Sequence, residues 1–159
     1  NKMDVDLITV IPTVSTGSTD ADGDLLFDSL EIENAVAVPG GTSILQSVSV
    51  FHKVDQTVTF DLIFFQVTKD VGTAGDPITW GGSSESAVAD GAVLMGHVSI
   101  SDWCDLVDVQ IATKTNIGLV LQAASGTSSI FCIGVCRGAA SGDHVAATNV
   151  DIRLGFIKD

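Results

Sequence analysis

The feature that most constrains the fold of this chain is a series of short apolar runs in which alternate residues change character. In TVTFDLIFFQV, residues 57–67, large apolar side chains alternate with Thr57, Thr59 and Asp61, which places the two kinds on opposite faces of an extended strand. Similar runs recur between turns rich in Gly, Ser and Asp, and helical spacing is absent over any useful length. The pattern predicts about eight to ten β-strands.

Strands without intervening helices bury their apolar faces by packing sheet on sheet. We therefore expect an all-β protein, a β-sandwich of jelly-roll or Greek-key type. Residues 1–159 are predicted to form a single domain, because their number suits one hydrophobic core. VDLITVIP is predicted as the first strand, which ends at Pro12. In the alternative, residues 1–12 form an extended N-terminal arm that pairs with the sheet edge of a neighbouring subunit.

Turn-forming residues divide the apolar runs into predicted strands. DLLFDSLEIENAVAVPGG is predicted as two short strands before the Pro39-Gly40-Gly41 turn, and SILQSVSVFHK with TVTFDLIFFQV as a hairpin around residues 54–56. AASGTSS is predicted as the turn of another hairpin. The segment TKDVGTAGDPITWGGSSESAVADGA is a predicted loop with one helical turn at residues 84–90.

The strand at residues 57–67 becomes apolar on both faces toward its end. Asp61 is followed at the same parity by Ile63, Phe65 and Val67. Two explanations stay open: a loop of the same chain covers this face, or the face is a subunit interface. The second makes Ile63, Phe65 and Val67 interface candidates, together with Trp80 in the Gly-rich loop as a docking tip.

The charge of the chain limits its partners. Twenty Asp and Glu face seven Lys and Arg, for a net charge of −13. Such a field repels phosphate backbones and anionic lipid headgroups, so we expect neither nucleic acid nor a membrane as partner. No apolar run reaches the roughly 20 residues that a membrane-spanning helix needs.

The segment TDADGDLLFDSLEIE is the strongest metal-site candidate in the sequence. Asp20, Asp22, Asp24 and Glu31 fall at positions 1, 3, 5 and 12 of an EF-hand-like loop. Position 6 needs glycine for its sharp turn, but Leu25 stands there. We therefore interpret the segment as a turn that starts a strand, and keep Asp20, Asp22 and Asp24 as secondary candidates for calcium.

Catalytic signatures are missing from the sequence. His52, His97 and His144 are scattered outside any zinc-binding pattern, and neither a nucleophile elbow nor a phosphate-binding loop occurs. The sequence therefore predicts a protein that is not an enzyme and has no cofactor. Trp80 and Trp103 lie beside loops, where either could stack on a sugar or pack at the edge of the core.

The chain has three cysteines, Cys104, Cys132 and Cys136. Cys132 and Cys136 are four apart in a predicted strand, which places them roughly 13 Å from each other and too far for a disulfide. We expect three reduced, buried thiols and folding in a cytosol.

Three longer stretches resemble small structural proteins of tailed phages that infect cyanobacteria and other aquatic bacteria. They are GDLLFDSLEIENAVAVPGGTSILQSVSVFHKVDQTVTFDLIFFQV, NIGLVLQAASGTSSIFCIGVCRGAAS and DIRLGFIKD. The resemblance spans most of the chain except residues 69–94. It implies a non-enzymatic virion protein, a decoration or cement protein on the capsid exterior, assembled in the bacterial cytoplasm. Its implied partners are the major capsid protein and neighbouring copies of itself.

Two other classes of function stay open at this stage. A tail- or fibre-associated adhesion module would use Trp80 or Trp103 against host glycans. A carbohydrate-active enzyme would need two carboxylates at a suitable distance in a cleft, and pairs such as Asp102 with Asp105 are explained as well by the abundance of acids.

Overall fold

The computed structural model describes residues 4–17, 20–55, 58–79, 93–138, 144 and 146–158. Within these ranges the chain forms nine strands and no helix, which confirms the predicted all-β class and strand number. No helix in the described ranges has the length and apolarity to cross a membrane. The strands are β1 (Asp4–Val10), β2 (Leu25–Ile32), β3 (Thr42–His52), β4 (Phe60–Phe65), β5 (Leu94–Ile100), β6 (Trp103–Asp105), β7 (Gln110–Gln122), β8 (Ile130–Cys136) and β9 (Val150–Lys158).

The strands pair in a nested order. β1 pairs with β9, β2 with β8, β3 with β7 and β4 with β5, all antiparallel. This nesting is that of a long hairpin folded over on itself. The two layers are a five-stranded sheet, β1-β9-β3-β7-β6, and a four-stranded sheet, β2-β8-β4-β5. The short β6 is an addition at one edge. The architecture is a jelly-roll sandwich, as the strand pattern predicts.

The core between the sheets follows the period-two alternation of the strands. In β9, Ile152, Leu154 and Phe156 are fully buried, while Arg153 between them is exposed. In β4, Phe60, Leu62 and Phe64 face the same core, as their shared parity predicts. The sequence pattern therefore identified correctly which faces of these strands are buried.

The two predicted hairpins are wrong in their pairing. β3 and β4 lie in different sheets, and so do β7 and β8. In each case the connection carries the chain from one layer to the other, so the strands pack face to face, about 10 Å apart, rather than edge to edge. Local turn residues show that a chain reverses, but not whether it stays in its sheet.

The segment predicted as two short strands before Pro39 forms one strand, β2, followed by turns. The strand ends at Ile32, two residues before Asn34, whose φ of 58° lies in the left-handed region, where an extended strand cannot continue. Ala35 and Val36 are still buried in the main core. The apolar run continues past the strand because a turn can also contribute to a core.

Candidate interaction surface

The outer face of the five-stranded sheet carries an unbroken row of aliphatic side chains. Val5 pairs with Ile157, Ile157 with Ile44, and Ile44 with Val120. Directly opposed residues project to the same face of a sheet, so the four form one row across β1, β9, β3 and β7, about 14 Å long. Val5 is 76% exposed and Val120 60%. We call these four residues the aliphatic row.

The rest of this face is poor in carboxylates. Three further rows of directly opposed residues lie beside the aliphatic row. They are Leu7, Gly155, Ser47 and Thr115; then Thr9, Arg153, Ser49 and Thr113; and then Asp151, Phe51 and Ile111. Asp151 is the one carboxylate in these four rows, and it forms a 2.7 Å ion pair with Lys53. The face therefore lacks the acidic character of a chain whose net charge is −13.

Part of the outer face of the four-stranded sheet, around β4 and β8, is instead covered by the chain itself. Ile63 and Phe65 form a second apolar cluster with Leu25, Ile133 and Val135, and Val71, Ile78 and Val93 close over it. Phe65 is only 1% exposed. Of the two explanations for the apolar second face of this strand, the covering loop is the correct one.

This packing corrects the interface assignment of Ile63 and Phe65. Both side chains are buried within their own chain, Phe65 at 1% and Ile63 at 8% exposure, and the accessible part of Ile63 faces a shallow cavity at the margin of this sheet. Val67 follows β4 and is half-buried. Trp80, the fourth predicted interface residue, and the predicted helical turn at residues 84–90 lie outside the described residues.

A shallow cavity of about 260 Å³ opens at the margin of the covered face, lined by Asp61, Ile63, Leu94, Gly96, His97 and Arg137. Asp61 accepts 2.7 Å hydrogen bonds from Arg137 Nε and from the Ser99 hydroxyl. Burial alone would raise the pKa of Asp61, but these hydrogen bonds and the charges of Arg137 and His97 outweigh it, so the pKa falls below its ordinary value. The carboxylate and the guanidinium satisfy each other.

The three aspartates predicted as calcium candidates have separate hydrogen-bond partners. The Ser15 hydroxyl donates to both carboxylate oxygens of the buried Asp20, at 2.6 and 2.8 Å. Asp22 accepts from the backbone N–H of Gly138 and Asp24 from that of Ala21. Among the described residues, no group of three or more His, Cys, Asp or Glu could hold a metal ion.

One end of the sandwich buries two histidines side by side. The rings of His52 and His144 are 5.0 Å apart, and His144 Nδ1 lies 3.9 Å from Asp20 Oδ2. Trp103 closes this end, with its ring 5.9 Å from that of His52 and its indole N–H donated to the carbonyl of Val58. Trp103 therefore packs at the edge of the core, which is one of the two roles that the sequence predicts for it, the other being stacking on a sugar.

The cysteine prediction is correct for two thiols and wrong for the third. Cys132 and Cys136 are free and buried, facing the main core from β8. Burial raises the pKa of each to about 12, which keeps both thiols protonated. Cys104 is free but exposed, because β6 is a short edge strand.

Sequence reasoning missed the aliphatic row. Its four members come from strands spread over the chain, and only the register of three strand pairs aligns them. A local signal did exist in β1, where Val5 and Leu7 are apolar at one parity and Ile8 and Val10 at the other. A strand that is apolar on both faces needs a second covering surface.

No protein-family model matches the chain, and no curated protein matches it. One solved structure that overlaps with the chain is named Desmodium yellow mottle tymovirus. The overlap has a TM-score of 0.30 and 9% identity, and covers 99% of this chain and 87% of that one. An overlap this loose carries no argument about function, and the jelly-roll architecture rests on the strand pairing itself.

Proposed function

We propose that this protein is a non-enzymatic virion component, a decoration or cement protein that binds the outside of the major capsid protein lattice of a tailed phage. The observation that carries the proposal is the aliphatic row on a face poor in carboxylates. The cores of protein interfaces are depleted in charged residues and enriched in apolar ones. The face thus has the composition of a docking surface.

The proposed mechanism is mechanical. Covering the aliphatic row by the lattice would contribute roughly 25 cal/mol for each Å² of apolar surface removed from water. The row is held by paired strands before any partner arrives, so docking orders little new structure and loses little conformational entropy. The remaining acidic surface suits the exterior of a capsid better than its DNA-facing interior.

The first test is the location of the protein on purified particles. Antibody labelling in the electron microscope, combined with quantitative mass spectrometry, measures where the copies lie and how many there are. Many copies spread over the head would support decoration. A few copies at the tail, with binding to host glycans, would replace it by the adhesion alternative, and absence from particles would refute both.

The second test asks whether the aliphatic row is the docking surface. Particles that lack the protein are mixed with the purified chain carrying Val120→Asp, and binding is measured by cosedimentation. We expect at least tenfold weaker binding, because a charge would be buried at the contact. Val107→Asp is the matched control, since Val107 is 79% exposed in the turn after β6 and changes the net charge equally. Equal binding by the two variants would exclude the row.

A further inference from the structure

In the described part of the chain the two sheets end in four edge strands, β1, β2, β5 and β6, and three of these are blunted. β6 is only three residues long. Among the described residues it leaves 113–122 of β7 unpaired on that side, but β7 has a register shift against β3 within this part. β2 has two register shifts against β8, and β5 has one against β4. Short strands and bulges are the usual means by which proteins prevent an edge from pairing with another chain.

The fourth edge strand, β1, has none of these features. It pairs with β9 through seven consecutive residue pairs without a register shift, and in the described part of the chain it pairs with no other strand. Neither Pro nor Lys interrupts residues 4–10, and Val5 and Leu7 are 76% and 64% exposed. Asp4 and Asp6 are the charged residues of β1, and Lys158 forms an ion pair with Asp6. The edge therefore presents a regular row of backbone donors and acceptors about 23 Å long.

An acidic groove runs along this edge. It has a volume of about 420 Å³ and is lined by residues 6–10 of β1 together with Glu31, Glu33 and Asn34. Asp6 is neutralised by a 2.7 Å ion pair with Lys158, which also donates to the backbone carbonyl of Asn34. Glu31 and Glu33 are exposed, so the mouth of the groove remains negative.

We propose that the free edge of β1 takes up an extended segment of a partner protein as an added strand, and that this segment alternates basic and aliphatic residues. Side chains of an added strand alternate between the faces of the sheet. Those level with Asp6 would enter the groove toward Glu31 and Glu33, where Lys or Arg is favoured. The side chain level with Val5 would extend the aliphatic row, and the one level with Leu7 would lie beside Leu7 on the same face. The proposal rests on the proposed function only in that the chain binds another protein.

Charge decides against a second copy of this chain as the occupant. Another β1 would bring Asp4 and Asp6 to an edge already flanked by Glu31 and Glu33. Each copy also carries a net charge of −13, which opposes association. A basic segment removes both sources of repulsion.

The test uses a synthetic peptide of alternating Lys and Val, long enough to cover the seven residues of β1. A peptide of the same composition with all Lys residues before all Val residues is the control for alternation. Affinity is measured by isothermal titration calorimetry, and the binding site by hydrogen exchange. We expect the alternating peptide to bind at least about tenfold more tightly and to slow exchange in β1 but not in β6.

Two double variants with equal changes in net charge complete the test. Glu31→Lys with Glu33→Lys reverses the charge of the groove, and we expect it to weaken the alternating peptide about tenfold or more. Asp76→Lys with Asp108→Lys changes two exposed acids elsewhere and should leave affinity within about twofold. Equal effects of the two pairs, no binding, or protection away from β1 would overturn the proposal.

Sedimentation of the free chain tests the competing occupant. A dimer that Leu7→Lys abolishes would show that a second copy occupies the edge, and a monomer supports the heterologous segment. None of these measurements involves a virion. They can therefore fail while the protein is found on the capsid, or succeed while it is not.

Discussion

The outer faces of the two sheets differ in what covers them. On the four-stranded sheet, Val71 and Ile78 of the following loop close over Ile63 and Phe65, so this part of β4 is buried on both sides. On the five-stranded sheet, Val5 and Val120 remain in solvent. An apolar outer face can thus complete the protein's own core or serve another molecule. The two cases make different predictions for folding and for binding.

The largest expected effect on folding comes from the covered face. Phe65→Ala removes a ring that is 1% exposed, and should lower the free energy of unfolding by about 3–5 kcal/mol. Val120→Thr on the aliphatic row keeps a β-branched side chain and should change it by less than about 0.5 kcal/mol. Urea denaturation measures both. Similar losses would show that the two faces contribute equally to the fold.

Two glycine substitutions compare the packed core with the outer face of the five-stranded sheet, which we call the open face. The Cβ of Gly134→Ala would press into the ring of Phe27 in the main core, so we expect a loss of about 1–3 kcal/mol. The Cβ of Gly155→Ala would meet only the hydroxyl of Ser47 on the open face, which can rotate away. Thermal unfolding should show Gly155→Ala to be neutral or slightly stabilising, by up to about 1 kcal/mol. A larger loss for Gly155→Ala would mean that the open face is as tightly packed as the core.

A loss smaller than those of Phe65→Ala and Gly134→Ala is expected at the solvent margin of the covered face. Asp61 has a pKa below its ordinary value of 3.8, so its ion pair with Arg137 stabilises the fold above that pH and is lost as the pH falls through the lowered pKa. Arg137→Gln should cost only roughly 0.5–1 kcal/mol at pH 7, because the Arg137 side chain is 47% exposed, and less in acid, because Asp61 is then protonated. Urea unfolding at pH 7 and at a pH below the pKa of Asp61 measures this loss of stability. NMR titration should show that the pKa of Asp61 is higher in the Arg137→Gln variant than in the original chain. A cost that is independent of pH would contradict the role of the ion pair.

The sequence was informative where neighbours along the chain decide the outcome. The alternation in residues 57–67 predicted that Phe64 and Phe65 lie on opposite faces, and the structure places them in different clusters. It did not decide whether a loop or a partner covers Phe65. Each arrangement buries the same side chain, so hydrophobic pattern alone does not distinguish them.

The amino-acid sequence by itself determined the all-β class, the number of strands and the inward faces, because these depend on a period of two residues. Only the tertiary structure decided which strands pair, that β3 and β4 separate into different layers, and that Val5, Ile157, Ile44 and Val120 form one row. Pairing depends on contacts between residues far apart in the chain. A strand's alternation specifies which face it buries but carries no information about its neighbour.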